Sequence, residues 1–346
     1  MTDLIKKYLD DIESRIDERA EDEIQAYLSA WSRHEAGSGD RPRGRKAAPS
    51  CLDWPAVNIN DAIADDEKML LSEFGRVNQR LSRNGSFPLR VRCNYGVGNV
   101  ASAFGAQLFV MPRESNTLPN VIKLGEEKCI ELIDQPLPDL QAGNFRDIYR
   151  VGRLFREIAD TYPKIGKYVH VEQPDLQGPM DNLELLWGSE LFYALYDLPD
   201  EIHALLDKLA AYIKLQIEGW LELFPDNRGR SNYFRYVEGG SLVLRDDSAM
   251  NLSPKFFREY IAPYDGRLLK EYGGIVHFCG KGDHFIDQLA ALDGLKGINM
   301  SQPHLNDMEK VFSSTIDKGV HLSLSVDPFE VKGHDISNLV FLPSGD

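Results

Sequence analysis

The sequence predicts an α/β fold of parallel strands, and three observations support this prediction. Short apolar runs bounded by glycine, proline or polar residues recur through the second half of the chain, separated by stretches with helical periodicity. Parallel strands need long crossover connections, usually helices, so this alternation favours a parallel sheet. The 346 residues are enough for one barrel-sized domain or two smaller ones. We therefore expect a (β/α)₈ TIM barrel, with a doubly wound sheet as the alternative.

The first part of the chain predicts a helical extension that precedes the barrel. Residues 2–34 carry apolar side chains at near-helical spacing, and residues 60–82 do so again. A loop rich in glycine and proline, residues 35–50, separates them. We place the boundary so that residues 1–88 form the extension and residues 89–346 form the barrel.

Seven predicted strands supply most of the barrel. They begin near Leu89, Tyr168, Tyr233, Gly274, Leu295, Val320 and Leu339. An eighth strand is expected either in the irregular stretch 113–143 or within residues 240–244. Helices are predicted over residues 143–162, 183–196, 200–224, 283–292 and 307–318, with another that opens at Ser253. The sequence ends at Asp346, just beyond the last strand, so either the final helix of the barrel is absent or the chain is shorter than its relatives.

Composition excludes several classes of partner. The formal net charge of −15 opposes nucleic-acid binding, which needs clustered lysine and arginine. The basic residues 41–46 lie among glycine, proline and serine and are interpreted as a solvated loop. No apolar run approaches the roughly 20 residues of a membrane helix, and the N-terminus lacks the features of a secretory signal. The four cysteines are far apart with no C-x-x-C, which favours a reduced, cytoplasmic protein.

The strand predicted to begin at Gly274 carries the strongest chemical signal. His277 and Cys279 are two positions apart, so their side chains point to the same face of the strand. An imidazole and a thiol side by side supply half of a tetrahedral zinc site. Both residue types also occur in ordinary protein cores, so the pair alone leaves a purely structural role open.

Catalytic groups of a barrel come from the C-terminal ends of its strands. The polar side chains at or just after the predicted strand ends are Asn94, Tyr95, Glu172, Gln173, Asp175, Asp246, Asp247, His277, Cys279, Ser301, Gln302, Ser325 and Asp327. Glu172 ends an apolar strand, so its carboxylate needs a partner such as a metal, a substrate cation or an arginine. Asp246 and Asp247 precede a helix and are equally compatible with a simple turn.

Several short segments together resemble one superfamily. They are NYGVG at residues 94–98, QGP at 177–179, LSPKFFREY at 252–260, HFCG at 277–280 and VDP at 326–328. The chain from about Asn94 to its end resembles the uroporphyrinogen decarboxylase superfamily, which includes zinc-dependent methyltransferases that move methyl groups between corrinoid proteins and thiols. The resemblance implies a (β/α)₈ barrel with its cleft at the strand C-termini, and Zn²⁺ bound by His277 and Cys279.

Two departures from the pattern of the superfamily bear on the reaction. The decarboxylases hold the substrate carboxylates with an arginine-rich segment at the first strand, whereas residues 93–102 contain no arginine. The methyltransferases bring a third ligand, a cysteine, from the last strand, and no cysteine follows Cys279. Either an oxygen ligand such as Glu172 or Asp346 then takes its place, or the site is incomplete.

The resemblance favours a cytoplasmic methyltransferase in which zinc lowers the pKa of a substrate thiol, and the resulting thiolate accepts a methyl group. The donor is expected to be a corrinoid carried by a partner protein. Asp247, Tyr95 and Gln173 are the expected catalytic residues. The expected substrate-binding residues are Asn94, Tyr95, Gln173, Asp175, Ser301, Gln302 and Asp327.

Two other functions stay open on this evidence. One is decarboxylation of uroporphyrinogen or a smaller acid, with Asp247, Tyr95 or His277 transferring protons. The other is a non-catalytic barrel that binds a small molecule or a corrinoid partner. The resemblance leaves room for a homodimer, and the composition predicts neither nucleic-acid nor membrane partners.

Overall fold

The structure is a computed structural model that describes residues 2–17, 22, 49–82, 89–233, 236–324, 331–334 and 336–341. Its α-helices span Asp3–Arg15, Ile59–Ala64, Asp66–Leu81, Asn99–Ala103, Glu126–Glu131, Phe145–Thr161, Pro163–Tyr168, Pro179–Trp187, Leu191–Asp197, Pro199–Leu223, Pro254–Phe256, Ala262–Tyr272, Ile286–Ala290 and Met308–Ser314. A π-helical turn, Phe257–Ile261, joins two of them. Ser253 accepts the N–H of Phe256 and so caps the helix that the sequence predicts there.

The strands are β1 (Leu89–Val91), β2 (Gln107–Phe109), β3 (Asn120–Ile122), β4 (Val169–Val171), β5 (Arg230–Tyr233), β6 (Tyr236–Gly239), β7 (Leu242–Arg245), β8 (Gly274–Phe278), β9 (Leu295–Met300), β10 (His321–Leu324) and β11 (Leu339–Phe341). A five-stranded parallel sheet has the order β11-β10-β9-β8-β7, and β1 pairs with β4 in a second parallel ladder. The remaining strands form two antiparallel hairpins, β2–β3 and β5–β6. The predicted α/β fold with parallel strands is therefore confirmed.

One predicted barrel strand is wrong. The stretch that begins near Tyr233 belongs to the hairpin β5–β6, in which Tyr233 stands opposite Tyr236. The parallel strand in this part of the chain is β7, at one of the two places where an eighth strand was expected. Gly240 lets the chain enter β7, because its φ is +97° and a Cβ there would lie 2.3 Å from the carbonyl carbon of Gly273.

The described residues do not show the predicted closed barrel. Their parallel strands form two separate ladders, and no strand pairing joins β4 to β7. Two other contacts connect these strands. The side chain of Gln173 bonds to both backbone groups of Val243, and the N–H of Gly178 donates to the carbonyl of Arg245 at 2.7 Å.

The two faces of the parallel sheets differ sharply in polarity. Outward-facing side chains such as Leu89, Val91 and Leu244 join one large apolar core with the surrounding helices. On the inner face, Val243 and Ile275 form only a small apolar cluster of their own. One row further along the strands, the inner face carries Arg245, His277, Asn299 and Ser323 in register. Buried polar side chains cost free energy unless they are partnered, so a polar row in register on one face of the sheet marks a candidate site.

The described part of the N-terminal extension is bound firmly to the rest of the chain. Ile5, Leu9 and Ile12 are buried in the common apolar core. Arg15, at the end of the first helix, donates to Asn78 Oδ1 at 2.5 Å. The proposed boundary at residue 88 stays a prediction. None of the described helices combines the length and apolar character needed to cross a membrane.

Candidate metal centre

The C-terminal end of β8 brings three possible metal ligands together. His277 lies on β8 and Cys279 just beyond it, while Asp247 follows the neighbouring strand β7. His277 Nε2 lies 3.4 Å from Cys279 Sγ and 3.6 Å from Asp247 Oδ1. The three ligand atoms all lie within 4.8 Å of one another. The structure thus brings His277 and Cys279 together, as their spacing predicts.

Hydrogen bonds across three strands fix the orientation of the His277 ring. Asn299 on β9 is the register partner of His277, and Ser323 on β10 is that of Asn299. The Asn299 amide nitrogen donates to Ser323 Oγ at 2.6 Å, so its oxygen faces His277 Nδ1 at 2.5 Å. Nδ1 therefore carries the proton, and the lone pair of Nε2 points toward the other two ligand atoms. Metal-binding histidines usually hold their tautomer through such an acceptor.

Asp247 is held in place by a second, buried aspartate. The carboxylate of Asp181 accepts the N–H of Asp247 at 2.8 Å and the N–H of Ser248 at 2.9 Å. Asp247 Oδ1 in turn accepts the N–H of Cys279 at 2.7 Å. Asp247 is therefore fixed from both sides, although its side chain is 46% exposed to solvent.

Burial sets the protonation of the nitrogen and sulfur ligands. It lowers the pKa of His277, and the nearby Asp247 carboxylate offsets this only in part. Burial raises the pKa of Cys279, and a hydrogen bond with Ser301 offsets that shift in part. Near neutral pH the pair is therefore a neutral imidazole and a thiol, and a bound cation would displace the thiol proton.

The same arrangement invites comparison with a nucleophilic cysteine. Cys279, His277 and Asn299 are connected in the order of the thiol–imidazole–amide relay of cysteine proteases. That relay needs a thiolate beside an imidazolium, whereas burial here shifts both pKa values in the opposite direction. Nitrogen, sulfur and carboxylate oxygen are zinc ligands, and three of them leave a fourth position for a substrate. The donor set therefore fits zinc better than it fits a free nucleophile.

The oxygen atom in this cluster comes from Asp247 and not from Glu172, which the sequence suggested as the third ligand. Glu172 forms an ion pair with Arg90. It follows β4, which is not hydrogen-bonded to β8. The carboxylate thus has an arginine as the partner that its burial requires. Asp346, the other suggested oxygen ligand, lies outside the described residues.

Gln173 and Asp175 line a small cavity of about 20 Å³, whose wall includes Arg245, the register partner of His277. The side chain of Gln173 donates to the carbonyl of Val243 at 2.9 Å and accepts its N–H at 3.1 Å. Asp175 forms an ion pair with Arg245 at 2.9 Å and lies close enough to His277 to affect its pKa. Gln173 therefore connects β4 to β7, and its catalytic role stays a prediction.

Asn94 and Tyr95 belong to the loop that follows β1, which ends at Val91. Asn94 is buried, and its side-chain oxygen has no hydrogen-bond partner among the described residues. Tyr95 is also buried, and the charges that act on it are Asp66, Asp147 and Arg150 in the outer helices. Burial raises the pKa of Tyr95 above its usual range, so the hydroxyl stays protonated. The structure does not bring Tyr95 to the cluster.

Two more predicted residues lie at the loop that follows Cys279. Ser301 forms a hydrogen bond with Cys279, which lowers the pKa of the thiol. Gln302 Oε1 accepts the N–H of Gly280 at 2.6 Å and so holds the loop. Asp327, another predicted substrate-binding residue, lies outside the part of the chain that the structure describes.

Sequence reasoning missed several residues of the site. They are Arg92, Asp181, Arg245, Asn299 and Ser323. A signal for Arg92 was present in the sequence, because Arg90, within β1, and Arg92, just after it, alternate with the apolar Leu89 and Val91. Alternation of this kind places the charged side chains on the inner face.

Comparison with known proteins supports the fold. The structure is similar to that of a methyltransferase from Methanosarcina mazei. The TM-score is 0.58 at 15% sequence identity, and the similarity covers 83% of each chain. At that identity the likeness concerns the fold alone. No family model matches the sequence, and no curated protein matches it.

Proposed function

We propose that the protein is a zinc-dependent methyltransferase that moves a methyl group between a corrinoid protein and a small thiol. The observation that carries this proposal is the convergence of Asp247 Oδ1, His277 Nε2 and Cys279 Sγ. The likeness of the fold to a methyltransferase supports the same class of reaction. The closed barrel predicted from the sequence is part of the proposal, because closure would gather all the strand ends around this centre.

Bound zinc supplies a Lewis acid that lowers the pKa of a substrate thiol, which makes the thiol a nucleophile near neutral pH. The residues of the chain hold and orient the centre. Asn299 keeps Nε2 of His277 unprotonated and pointed at the cluster. Asp181 holds the backbone N–H of Asp247, and the N–H of Cys279 holds the carboxylate of Asp247. Substrate binding at an ordered centre of this kind removes much of the entropic cost of reaction.

The rim beside the cluster suits the approach of a corrinoid partner. Met250 is 42% exposed and packs over Gly280, next to Cys279. Leu305 is 44% exposed, and its N–H donates to the carbonyl of Gln302, the residue that holds Gly280. Exposed apolar side chains around a site are typical of contact surfaces. Transfer at this rim would form a sulfur–carbon bond while the bond between the methyl group and the corrinoid metal breaks, and the corrinoid would keep that electron pair.

Metal content tests the proposal. Protein loaded with Zn²⁺ and freed of excess metal is expected to hold about one zinc per chain, since one three-ligand cluster binds one ion. The variants Cys279→Ala and His277→Ala are expected to lose it, because each removes one of the three ligands. Cys51→Ala is the matched control, because it removes an exposed cysteine outside the cluster and should leave zinc bound. Zinc near zero in the unaltered protein, or zinc retained by both ligand variants, contradicts the proposal.

Decarboxylation of a small acid is the second candidate, and the arginines of the cavity favour it. Arg92 and Arg245 both line the cavity, and because Arg245 is paired with Asp175, Arg92 would be the cationic partner of a substrate carboxylate despite the net charge of −15. Release of carbon dioxide that survives both chelation and the Cys279→Ala change would support this reaction. Loss of that release after either treatment would reject it.

A further inference from the structure

An open groove of about 470 Å³ lies at the N-terminal ends of β1 and β4, whereas the metal centre lies at the C-terminal ends of β7 and β8. The wall of this N-terminal groove is formed by Leu89, by residues 166–171 and by residues 224–230. Its volume is in the range of small-molecule sites, about 300–1,000 Å³. Asn227 fastens the last of these segments to β4 by donating to the carbonyl of Val171 at 2.8 Å. The groove is therefore built by the fold itself.

The N-terminal groove is cationic in a chain whose net charge is −15. The cationic residues of its wall are Arg156, Lys167, Arg228 and Arg230. Asp226 is the one carboxylate among the described residues of this wall. Arg156 is already paired with Asp160 at 2.7 Å, whereas Arg228 and Arg230 form no ion pair within the described part of the chain. A guanidinium stays charged at every physiological pH, so the groove attracts anions.

A smaller inner pocket adjoins the groove, and its wall carries hydrogen-bond donors that have no acceptor. The two share His170, Asn227 and Arg230, and the inner pocket of about 10 Å³ has room for one water-sized atom. Trp220 Nε1 and Ser231 Oγ, both on its wall, are buried and have no hydrogen-bond partner among the described residues. Burial lowers the pKa of His170 to about 4, so this imidazole is neutral and carries one N–H. The described wall of the inner pocket contains no carboxylate, so an anionic oxygen is the partner that these donors fit.

We propose that the N-terminal groove binds a small phosphomonoester, with one phosphate oxygen in the inner pocket and the organic body along the groove. Two arginines without ion pairs, Arg228 and Arg230, match a dianion, and the planar guanidinium is well suited to phosphate. The groove is much larger than a phosphate ion, and its apolar lining includes Leu89, Tyr168 and Phe224. That lining favours an ester with an apolar body over free phosphate. The site shares no residue with the metal centre, so the inference goes beyond the proposed methyl transfer.

Calorimetric titration of the full chain with phenyl phosphate tests the inference. Saturable binding is expected, and inorganic phosphate should bind about tenfold more weakly because it leaves the apolar part of the groove unfilled. Arg230→Gln should weaken phenyl phosphate binding by about tenfold or more, the usual scale of a hydrogen bond to a charged group. Ser231→Ala should weaken it by about threefold to tenfold, because it removes one neutral donor from the inner pocket. Arg146→Gln is the matched control, because it removes an equal charge from a side chain that is 76% exposed and lies outside the groove.

Bound zinc also attracts phosphate oxygens, so His277→Ala separates the groove from the metal centre. This variant should bind phenyl phosphate as tightly as the unaltered protein, and loss of binding would assign the ligand to the metal centre and overturn the inference. Three other results would overturn it: no saturable binding of phenyl phosphate, inorganic phosphate binding as tightly as the ester, or an affinity that Arg230→Gln leaves unchanged. Failure of the zinc-content test would leave this inference intact, because no residue of the groove is among the three metal ligands.

Discussion

Hydrogen bonding orients the ring of His277 in the way that is usual for metal-binding histidines. Its Nδ1 donates to Asn299, whose own nitrogen is fixed by Ser323, so the ring cannot present the wrong nitrogen without losing both contacts. The opposite nitrogen faces Cys279 and Asp247. A histidine that served only to fill the core would not need its lone pair aimed at a thiol and a carboxylate.

Asn299→Ala is expected to weaken zinc binding by about 10–100-fold, because the acceptor that fixes the tautomer is lost. Asn299→Asp keeps an acceptor at the same place and should retain most of the affinity. Competition with a chelator measures both effects. Thermal unfolding of the metal-free variants is the control for general destabilisation. If the alanine variant binds zinc as tightly as the unaltered protein, Asn299 has no positioning role.

Sequence spacing sufficed for His277 and Cys279 because a strand alternates its faces every residue. It could not identify Asp247 as their partner, since that contact depends on which strands are neighbours. Glu172 and Asp247 both lie at predicted strand ends, and the sequence does not say that β7 pairs with β8 while β4 does not. Arg92 was open to prediction by the same alternation that revealed His277.

The loop after β4 shows how closely two elements must approach at this site. A Cβ on Gly178 would lie 2.0 Å from Asp246 Oδ1 and 2.9 Å from the carbonyl oxygen of Arg245. The N–H of Gly178 donates to that same carbonyl at 2.7 Å. Only glycine permits this contact, which sets the turn that carries Asp247.

Gly178→Ala is expected to destabilise the fold by about 1–3 kcal/mol, because the added methyl group overpacks the contact with β7. Zinc affinity should fall with it, since the turn that carries Asp247 must move. Gly75→Ala is the matched control, because a Cβ there would meet only Trp54 at an ordinary 3.7 Å. That helical change should stabilise the protein by roughly 0.5–1 kcal/mol. Denaturant unfolding measures both, and equal behaviour of the two variants would contradict the packing argument.

The helices and most of the parallel strands could be predicted from the periodicity of the sequence, whereas the hairpin β5–β6 could not. Aromatic residues are common in parallel and antiparallel strands alike, so Tyr233 alone does not indicate the direction of its partner strand. Gly240 allows the chain to pass from the hairpin into β7, because its backbone packs against Gly273, a residue distant in sequence. Local patterns cannot reveal such contacts.

Across the whole molecule, the two faces of the parallel sheets have different roles. One face is apolar and stabilises the fold, and the other is polar and carries the candidate site. The outer face and the helices share one apolar core, while the inner face carries the row from Arg245 to Ser323. The stability of the fold therefore does not depend on filling the interior with apolar side chains. That leaves room for charged residues around the cavity in a chain whose overall charge is −15.

The parallel α/β architecture could be predicted from sequence because strands and helices alternate at short spacing. Closure of the sheet could not, because it depends on what lies between β4 and β7. There the side chain of Gln173 takes the place of a strand pairing. In the sequence, a glutamine at a strand end is equally compatible with a catalytic role and with a structural role that connects two strands. Only the residues around it in the fold distinguish the two roles.

X-ray absorption at the zinc edge of the zinc-loaded protein tests the central claim most directly. The account predicts one sulfur ligand at about 2.3 Å together with nitrogen and oxygen ligands, supplied by Cys279, His277 and Asp247. Saturation with mercaptopropionate should raise the sulfur count to two. A spectrum without sulfur, or a sulfur count that the added thiol does not change, would contradict the account.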